Sequence, residues 1–95
     1  MPDDAARQTA EDHYYAALDL MAEGQQERAV EEYQKSLAAD PEFTEAMHGL
    51  ARALQDLQRY DEAIEVAKKL AELKNESLEK VIEQTTQNTQ KLFKI

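Results

Sequence analysis

Apolar side chains recur every three or four residues along most of this chain, which is the spacing of one face of an α-helix. The first such stretch carries Ala10, Tyr14, Ala17, Leu18 and Met21. Three further stretches follow, with Ala29, Val30, Tyr33 and Leu37; Phe43, Met47, Leu50, Ala51 and Leu54; and Ile64, Ala67, Leu70 and Leu73. The pattern predicts four amphipathic helices in succession.

Residues that stop or start helices separate these stretches. Gly24 suits the left-handed conformation that ends a first helix. Asp40 and Pro41 end the second helix, with Asp40 as N-cap of the third and Pro41 in its first turn. Links this short make consecutive helices antiparallel. The second, third and fourth helices are expected over about 26–39, 42–57 and 61–73.

The N-terminal end of the first helix is open to two interpretations. Thr9 and Asp12 resemble a capping box, which makes residues 1–8 a flexible tail. A start near Asp3 or Asp4 is an equal alternative, since aspartate also suits the N-cap position.

The segment after Lys74 departs from the preceding pattern. Asn75 or Ser77 would cap a fifth helix over 77–95, but one uninterrupted helix from Asp61 to the C-terminus is an alternative because neither Gly nor Pro intervenes. A capping helix would use the apolar face Leu78, Val81 and Ile82, and the last four residues are apolar enough to dock. A short coiled coil is also allowed by the 4-3-4-3 spacing of Leu78, Ile82, Thr85, Thr89 and Leu92.

The sequence of the first pair of predicted helices recurs in the second pair, 34 residues further along the chain. A fixed period of this size predicts one supersecondary unit stacked on a copy of itself. Such a stack offers a binding surface rather than a catalytic centre. Identical residues at this offset include Glu11 and Glu45, Ala17 and Ala51, Leu20 and Leu54, Ala29 and Ala63, and Lys35 and Lys69.

Both copies resemble the tetratricopeptide repeat, whose signature is W-x2-L-G-x2-Y, then A-x3-F, then P. The first copy reads His13-x2-Ala16-Ala17-x2-Leu20, then Ala29-x3-Tyr33, then Pro41. The second reads Met47-x2-Leu50-Ala51-x2-Leu54, then Ala63-x3-Ala67, with Asn75 in place of proline. Both copies differ from the signature mainly at its aromatic positions. The small residues of the signature, which let two helices approach closely, are present in both copies.

The resemblance implies an all-α fold of five helices: two helix-turn-helix hairpins in a right-handed α-solenoid, followed by a C-terminal capping helix. It divides the chain into a flexible tail, a first repeat, a second repeat and a capping helix, over residues 1–8, 9–42, 43–76 and 77–95. In this family the first helix of each repeat lines a concave groove that holds a partner. The residues so implied here are Glu11, Tyr14, Leu18, Met21, Glu45, His48, Arg52 and Gln55.

Composition and charge narrow the function classes. The absence of cysteine excludes disulfides and thiolate sites. A net charge of −9 disfavours nucleic acid as a ligand. Residues 9–40 hold eight acids against two bases, so a basic protein partner would be steered to the first repeat. No apolar run approaches a membrane span, and the acidic N-terminus does not resemble a signal peptide, so a cytoplasmic location is expected.

Catalytic and metal interpretations find little support. His13 and His48 are 35 residues apart and have no metal-binding spacing around them. The Lys, Asn and Arg side chains with which chaperone-binding members of the family hold a terminal carboxylate are represented by Arg52 alone. We therefore expect neither an enzyme nor a cofactor.

The leading hypothesis is an adaptor that binds a peptide or an amphipathic helix of another protein in the groove. The alternative is self-assembly into a homodimer or small oligomer, through the apolar groove face or the C-terminal helix. A third hypothesis is an engineered or recombined repeat protein, because the sequence after Lys74 is unlike the sequence before it.

Overall fold

A computed structural model describes residues 3–85, which form five α-helices and no strand in that range. Each helix packs against the next one along the chain, and α3 also contacts α1 and α5. The predicted all-α arrangement of two helical hairpins followed by a fifth helix is confirmed. The helices are α1 (Asp4–Ala22), α2 (Gln26–Ala39), α3 (Thr44–Asp56), α4 (Tyr60–Lys74) and α5 (Leu78–Thr85).

Helix α1 begins earlier than the capping box at Thr9 predicts. Asp3 is its N-cap, and Oδ1 of Asp3 accepts a hydrogen bond of 2.8 Å from the amide of Ala6. This cap satisfies an amide that the helix itself leaves unpaired. The alternative start near Asp3 or Asp4 is therefore confirmed, and the flexible tail over residues 1–8 is wrong for residues 4–8.

The turns after α1 and α3 have the same backbone conformation, 34 residues apart. Gly24 has φ +78° and Gln58 has φ +62°, both in the left-handed region. In each turn the amide of the next residue donates at 2.8 Å to the carbonyl five residues back. The left-handed cap predicted at Gly24 is confirmed, and Gln58 adopts the same conformation with a side chain that disfavours it.

The link between α2 and α3 differs from the predicted one. Phe43 is the N-cap of α3, which begins at Thr44. Oδ1 of Asp40 instead accepts a hydrogen bond of 3.2 Å from the amide of Glu42 and closes a turn before the helix. The predictions of Asp40 as N-cap and of Pro41 in the first turn of α3 are therefore wrong, because Asp40 caps this turn instead.

Helices α4 and α5 are separate, so the alternative of one uninterrupted helix is wrong. Asn75 ends α4 with φ +54°, in the left-handed region. Oγ of Ser77 then accepts a hydrogen bond of 3.2 Å from the amide of Lys80 in the first turn of α5. Of the two predicted caps, Ser77 is thus the one that begins the fifth helix.

The hairpins close on small residues, as the repeat pattern predicts. Ala17, Ala29, Ala51 and Ala63 are each at most 3% exposed. Ser36 is buried as well, and its Oγ donates a hydrogen bond of 2.7 Å to the backbone carbonyl of Ala10, which ties α2 to α1. The main buried cluster joins α1, α2, α3 and α4 and contains Ala17, Ala29, Val30, Tyr33, Ala46, Leu50, Ala53, Leu54 and Ala63.

Helix α5 covers the open side of α4. Val81 is fully buried in a second cluster with residues of α3 and α4. Leu78 and Ile82 pack against the same cluster, so the apolar face predicted for a capping helix is used. Residues 86–95 lie outside the described residues, and with them Thr89, Leu92 and the apolar last four residues of the chain. The coiled coil and the docking of that end stay predictions.

Candidate binding groove

A cavity of about 650 Å³ opens between α1 and α3, with α2 behind it. Most of the lining residues of α1 and of α3 are three or four positions apart, so one face of each helix forms one side of the cavity. We call this cavity the groove. It is lined by Tyr14, Leu18, Met21 and Ala22 of α1, Gln26 and Tyr33 of α2, and Glu45, His48, Gly49, Arg52 and Asp56 of α3.

Six of the eight residues implied by the family resemblance line the groove, namely Tyr14, Leu18, Met21, Glu45, His48 and Arg52. Glu11 does not line it; its carboxylate lies 3.7 Å from Nε of Arg7. Gln55 does not line it either, since it borders a smaller cavity against α4. The groove is therefore shorter and more sharply bounded than the repeat alignment implies.

The floor of the groove was missed by sequence reasoning. Tyr33 lies there, 1% exposed, against Gly49 of α3, where a Cβ on residue 49 would overlap the tyrosine ring. The apolar spacing puts Tyr33 on the apolar face of the second helix and gives no sign of a groove there. The available signal was Gly49 itself, because a glycine inside a helix is unfavourable by about 1 kcal/mol and needs a packing reason.

The two walls of the groove differ in chemistry. The α1 wall is apolar, and Leu18 on it is 40% exposed. The α3 wall is polar and carries Glu45, His48, Arg52 and Asp56. A ligand that fills the groove would therefore meet apolar carbon on one side and charged groups on the other.

Ionisable groups in the groove are shifted mainly by burial. Burial raises the pKa of the Tyr14 phenol, and the nearby Glu45 carboxylate raises it further. Burial raises the pKa of Tyr33 from 10.0 to about 12. Burial, with Lys74 adding to it, lowers the pKa of His48 below its ordinary 6.5, so this imidazole is neutral at pH 7.

The second histidine lies away from the groove. Nδ1 of His13 is 2.8 Å from Oε1 of Glu32, and this contact joins α1 to α2. Lys35 contacts the other carboxylate oxygen of Glu32 at 3.1 Å. This arrangement links the two helices of the first hairpin, and it does not share a cavity with His48.

Neither a metal-binding cluster nor a membrane-spanning helix is present among residues 3–85. Among residues 3–85, no three His, Asp or Glu side chains are placed to hold a metal ion. The helices of the same range do not combine the length and the apolar character that crossing a bilayer requires.

A family model matches most of the chain. Residues 20–88, which are 69 of the 95, match the family model of the tetratricopeptide repeat. The match begins near the end of α1 and includes α2, α3, α4 and α5. Among curated proteins, none matches this chain.

Proposed function

The chain belongs to the tetratricopeptide repeat family, and we propose that it binds a segment of another protein in the groove. Tetratricopeptide repeats form a fold that mediates protein–protein interactions without catalysis. The observation that carries the proposal is Leu18, a leucine 40% exposed on the wall of a 650 Å³ cavity. Exposed apolar surface inside a concave site is typical of partner binding.

The α1 wall favours an apolar segment of the partner. Tyr14, Leu18 and Met21 are spaced four and three residues apart and face the same cavity. This spacing suits an amphipathic helix that lays its apolar face into a groove, or an extended peptide with alternate apolar side chains. The partner's contacts on the α3 side would be hydrogen bonds and ion pairs.

Charge favours a partner that is basic overall. The chain carries a net charge of −9, of which residues 9–40 contribute eight acids against two bases. Glu45 and Asp56 add carboxylates to the α3 wall, on either side of Arg52. Such a field raises the association rate of a basic partner, and salt weakens the effect.

A matched pair of substitutions tests the proposal. Leu18→Glu places a charge in the groove, whereas Leu73→Glu changes a leucine of the same 40% exposure on α4, outside the groove. Both variants and the unchanged protein would be used to capture proteins from a lysate of the source organism. Each captured protein would then be purified and titrated against all three.

We expect one partner to bind the unchanged protein and Leu73→Glu equally, with at least tenfold weaker binding to Leu18→Glu and to Met21→Glu. Circular dichroism would establish that helicity is retained in each variant. Equal affinity for Leu18→Glu and Leu73→Glu would eliminate the groove as the binding site. Light scattering distinguishes partner binding from the alternative of self-assembly. A dimer of the unchanged protein that becomes a monomer in Leu18→Glu would favour self-assembly through the groove.

A further inference from the structure

Tyr14 is the centre of an aromatic cluster at one end of the groove. Its ring centroid lies 5.1 Å from that of Phe43, 5.5 Å from that of Tyr15 and 6.2 Å from that of Tyr33. All three neighbouring rings are tilted relative to it, by 42° to 59°. Tyr33 is buried, but Tyr15 is 59% exposed and Tyr14 is half-buried and lines the groove. The Tyr14 ring is therefore the one that a ligand in the groove would meet, with the exposed Tyr15 ring beside it and outside the groove lining.

The same end of the groove carries negative charge. Glu45 lines the groove and is exposed, and its carboxylate is close enough to the Tyr14 phenol to raise the pKa of that group. Arg52 also lines the groove and is seven positions after Glu45 on α3. Among the described residues 3–85, it is the one Lys or Arg in the groove lining. At a rise of about 1.5 Å per residue, the backbone positions of Glu45 and Arg52 are roughly 10 Å apart. The Arg52 charge acts on the Tyr33 phenol, on the floor of the groove.

His48 does not oppose this charge at neutral pH. It lies one turn beyond Glu45 on the α3 wall, and its lowered pKa leaves the imidazole neutral at pH 7. The Tyr14 end of the groove thus combines π faces with a carboxylate. A cation gains from both, because the quadrupole of an aromatic ring attracts positive charge over its face.

Resting on the proposed function, we propose that the Tyr14 end of the groove binds an arginine side chain of the partner. The planar guanidinium would stack on the Tyr14 ring, with the Tyr15 ring beside it, while its N–H groups donate to Glu45. Arginine suits the site better than lysine because the guanidinium is planar, is weakly hydrated and presents several donors to a carboxylate. The apolar side chains of the same partner segment would then contact Leu18 and Met21.

A small probe tests this site without the partner. N-acetyl-L-argininamide would be titrated against the full chain, with N-acetyl-L-citrullinamide as the neutral probe of nearly the same shape. Binding would be followed by the NMR shifts of the tyrosine ring protons. We expect saturable shifts of the Tyr14 and Tyr15 rings with the arginine probe and at least threefold weaker binding of the citrulline probe. Equal binding of the two probes, or no shift with either, would overturn the proposal.

Variants separate the aromatic contribution from the ionic one. Tyr14→Leu keeps an apolar side chain but removes the π face, and we expect it to weaken the arginine probe about fivefold, whereas Tyr14→Phe keeps affinity within about twofold. Glu45→Gln should weaken the probe about threefold and reduce the salt dependence of binding. Glu65→Gln, on a side chain of α4 that is 74% exposed, is the control and should change neither. Full affinity in Tyr14→Leu would contradict the aromatic site.

The outcome is independent of the test with Leu18→Glu. If that variant loses its partner while the arginine probe fails to bind the unchanged protein, the arginine site is wrong and the groove proposal stands. If the probe binds and Leu18→Glu keeps its partner, the partner binds elsewhere and the arginine site remains as an isolated cation site.

Discussion

The ring of Tyr33 in α2 occupies the space in which residue 49 of α3 would carry a Cβ, so Gly49 lets the two helices approach closely. The tyrosine is 1% exposed, so its ring is almost fully covered by neighbouring side chains. This contact closes the floor of the groove and fixes the distance between the two hairpins at the same time. Stability and binding geometry thus depend on one pair of residues.

Gly49→Ala should destabilise the protein although alanine is the better helix former. Overpacking of a buried site costs about 1–3 kcal/mol, against a propensity gain of about 1 kcal/mol. We expect a net loss of up to about 2 kcal/mol in the free energy of unfolding, measured by urea denaturation with circular dichroism as the probe. In the background of Tyr33→Leu the same substitution should become stabilising, because the ring is gone. A gain of stability from Gly49→Ala alone would contradict the contact.

Gln58→Gly should stabilise the protein. Gln58 has φ +62°, a conformation that costs a residue with a Cβ about 1–2 kcal/mol and costs glycine almost nothing. Part of that gain is offset by the greater freedom of glycine in the unfolded chain, so we expect about 0.5–1 kcal/mol. Gln34→Gly, at an exposed site inside α2, is the control and should lose about 1 kcal/mol. Equal losses in both variants would refute the strained turn.

The protein should lose stability at alkaline pH through Tyr33. Burial raises the pKa of this phenol from 10.0 to about 12. A raised folded-state pKa gives a contribution that is fully present below pH 10 and is lost as the pH rises towards 12. The full contribution is on the order of 2–3 kcal/mol. Urea midpoints between pH 9 and 12 should therefore fall more steeply for the unchanged protein than for Tyr33→Phe, and parallel curves would rule out this role.

The contact between His13 and Glu32 should stabilise the first hairpin above acidic pH. The hydrogen bond from His13 and then that from Lys35 lower the pKa of Glu32 below its ordinary 4.5. A lowered folded-state pKa gives stability that is present above pH 4.5 and is lost as the pH falls through the folded value. Because both side chains are partly exposed, Glu32→Gln should cost at most about 1 kcal/mol at pH 7 and nothing near pH 3. Glu31→Gln, at an exposed site of α2, is the control and should be neutral at both pH values.

The repeat pattern was sufficient to predict the helices but not their ends. The second helix falls at Gln26–Ala39 as predicted, because the apolar spacing and the Asp40-Pro41 stop are both local signals. The start of α3 was missed, since Asp40 can cap a turn or a helix with the same atoms. The N-cap at Asp3 was one of two possible positions, and sequence alone gave no reason to prefer it.

The family resemblance implied eight candidate residues, and six of them line one cavity because residues three or four apart share a helix face. Spacing gives the face of a helix but not the length over which a neighbouring helix lies beside that face. Glu11 and Gln55 were therefore among the candidates although they do not line the cavity. Likewise, spacing gave the aromatic residue at position 33 a role in the core without showing that its ring also forms the groove floor.

The sequence by itself determined the helical class, the 34-residue repeat and the side of each helix that meets its neighbours, since all three follow from periodicity. Only the tertiary structure decided which side chains meet across helices. The contacts of Tyr33 with Gly49 and of Tyr14 with Phe43 depend on helix separation and ring orientation. Those quantities are set by the close packing of several helices at once, and no local pattern in the chain encodes them.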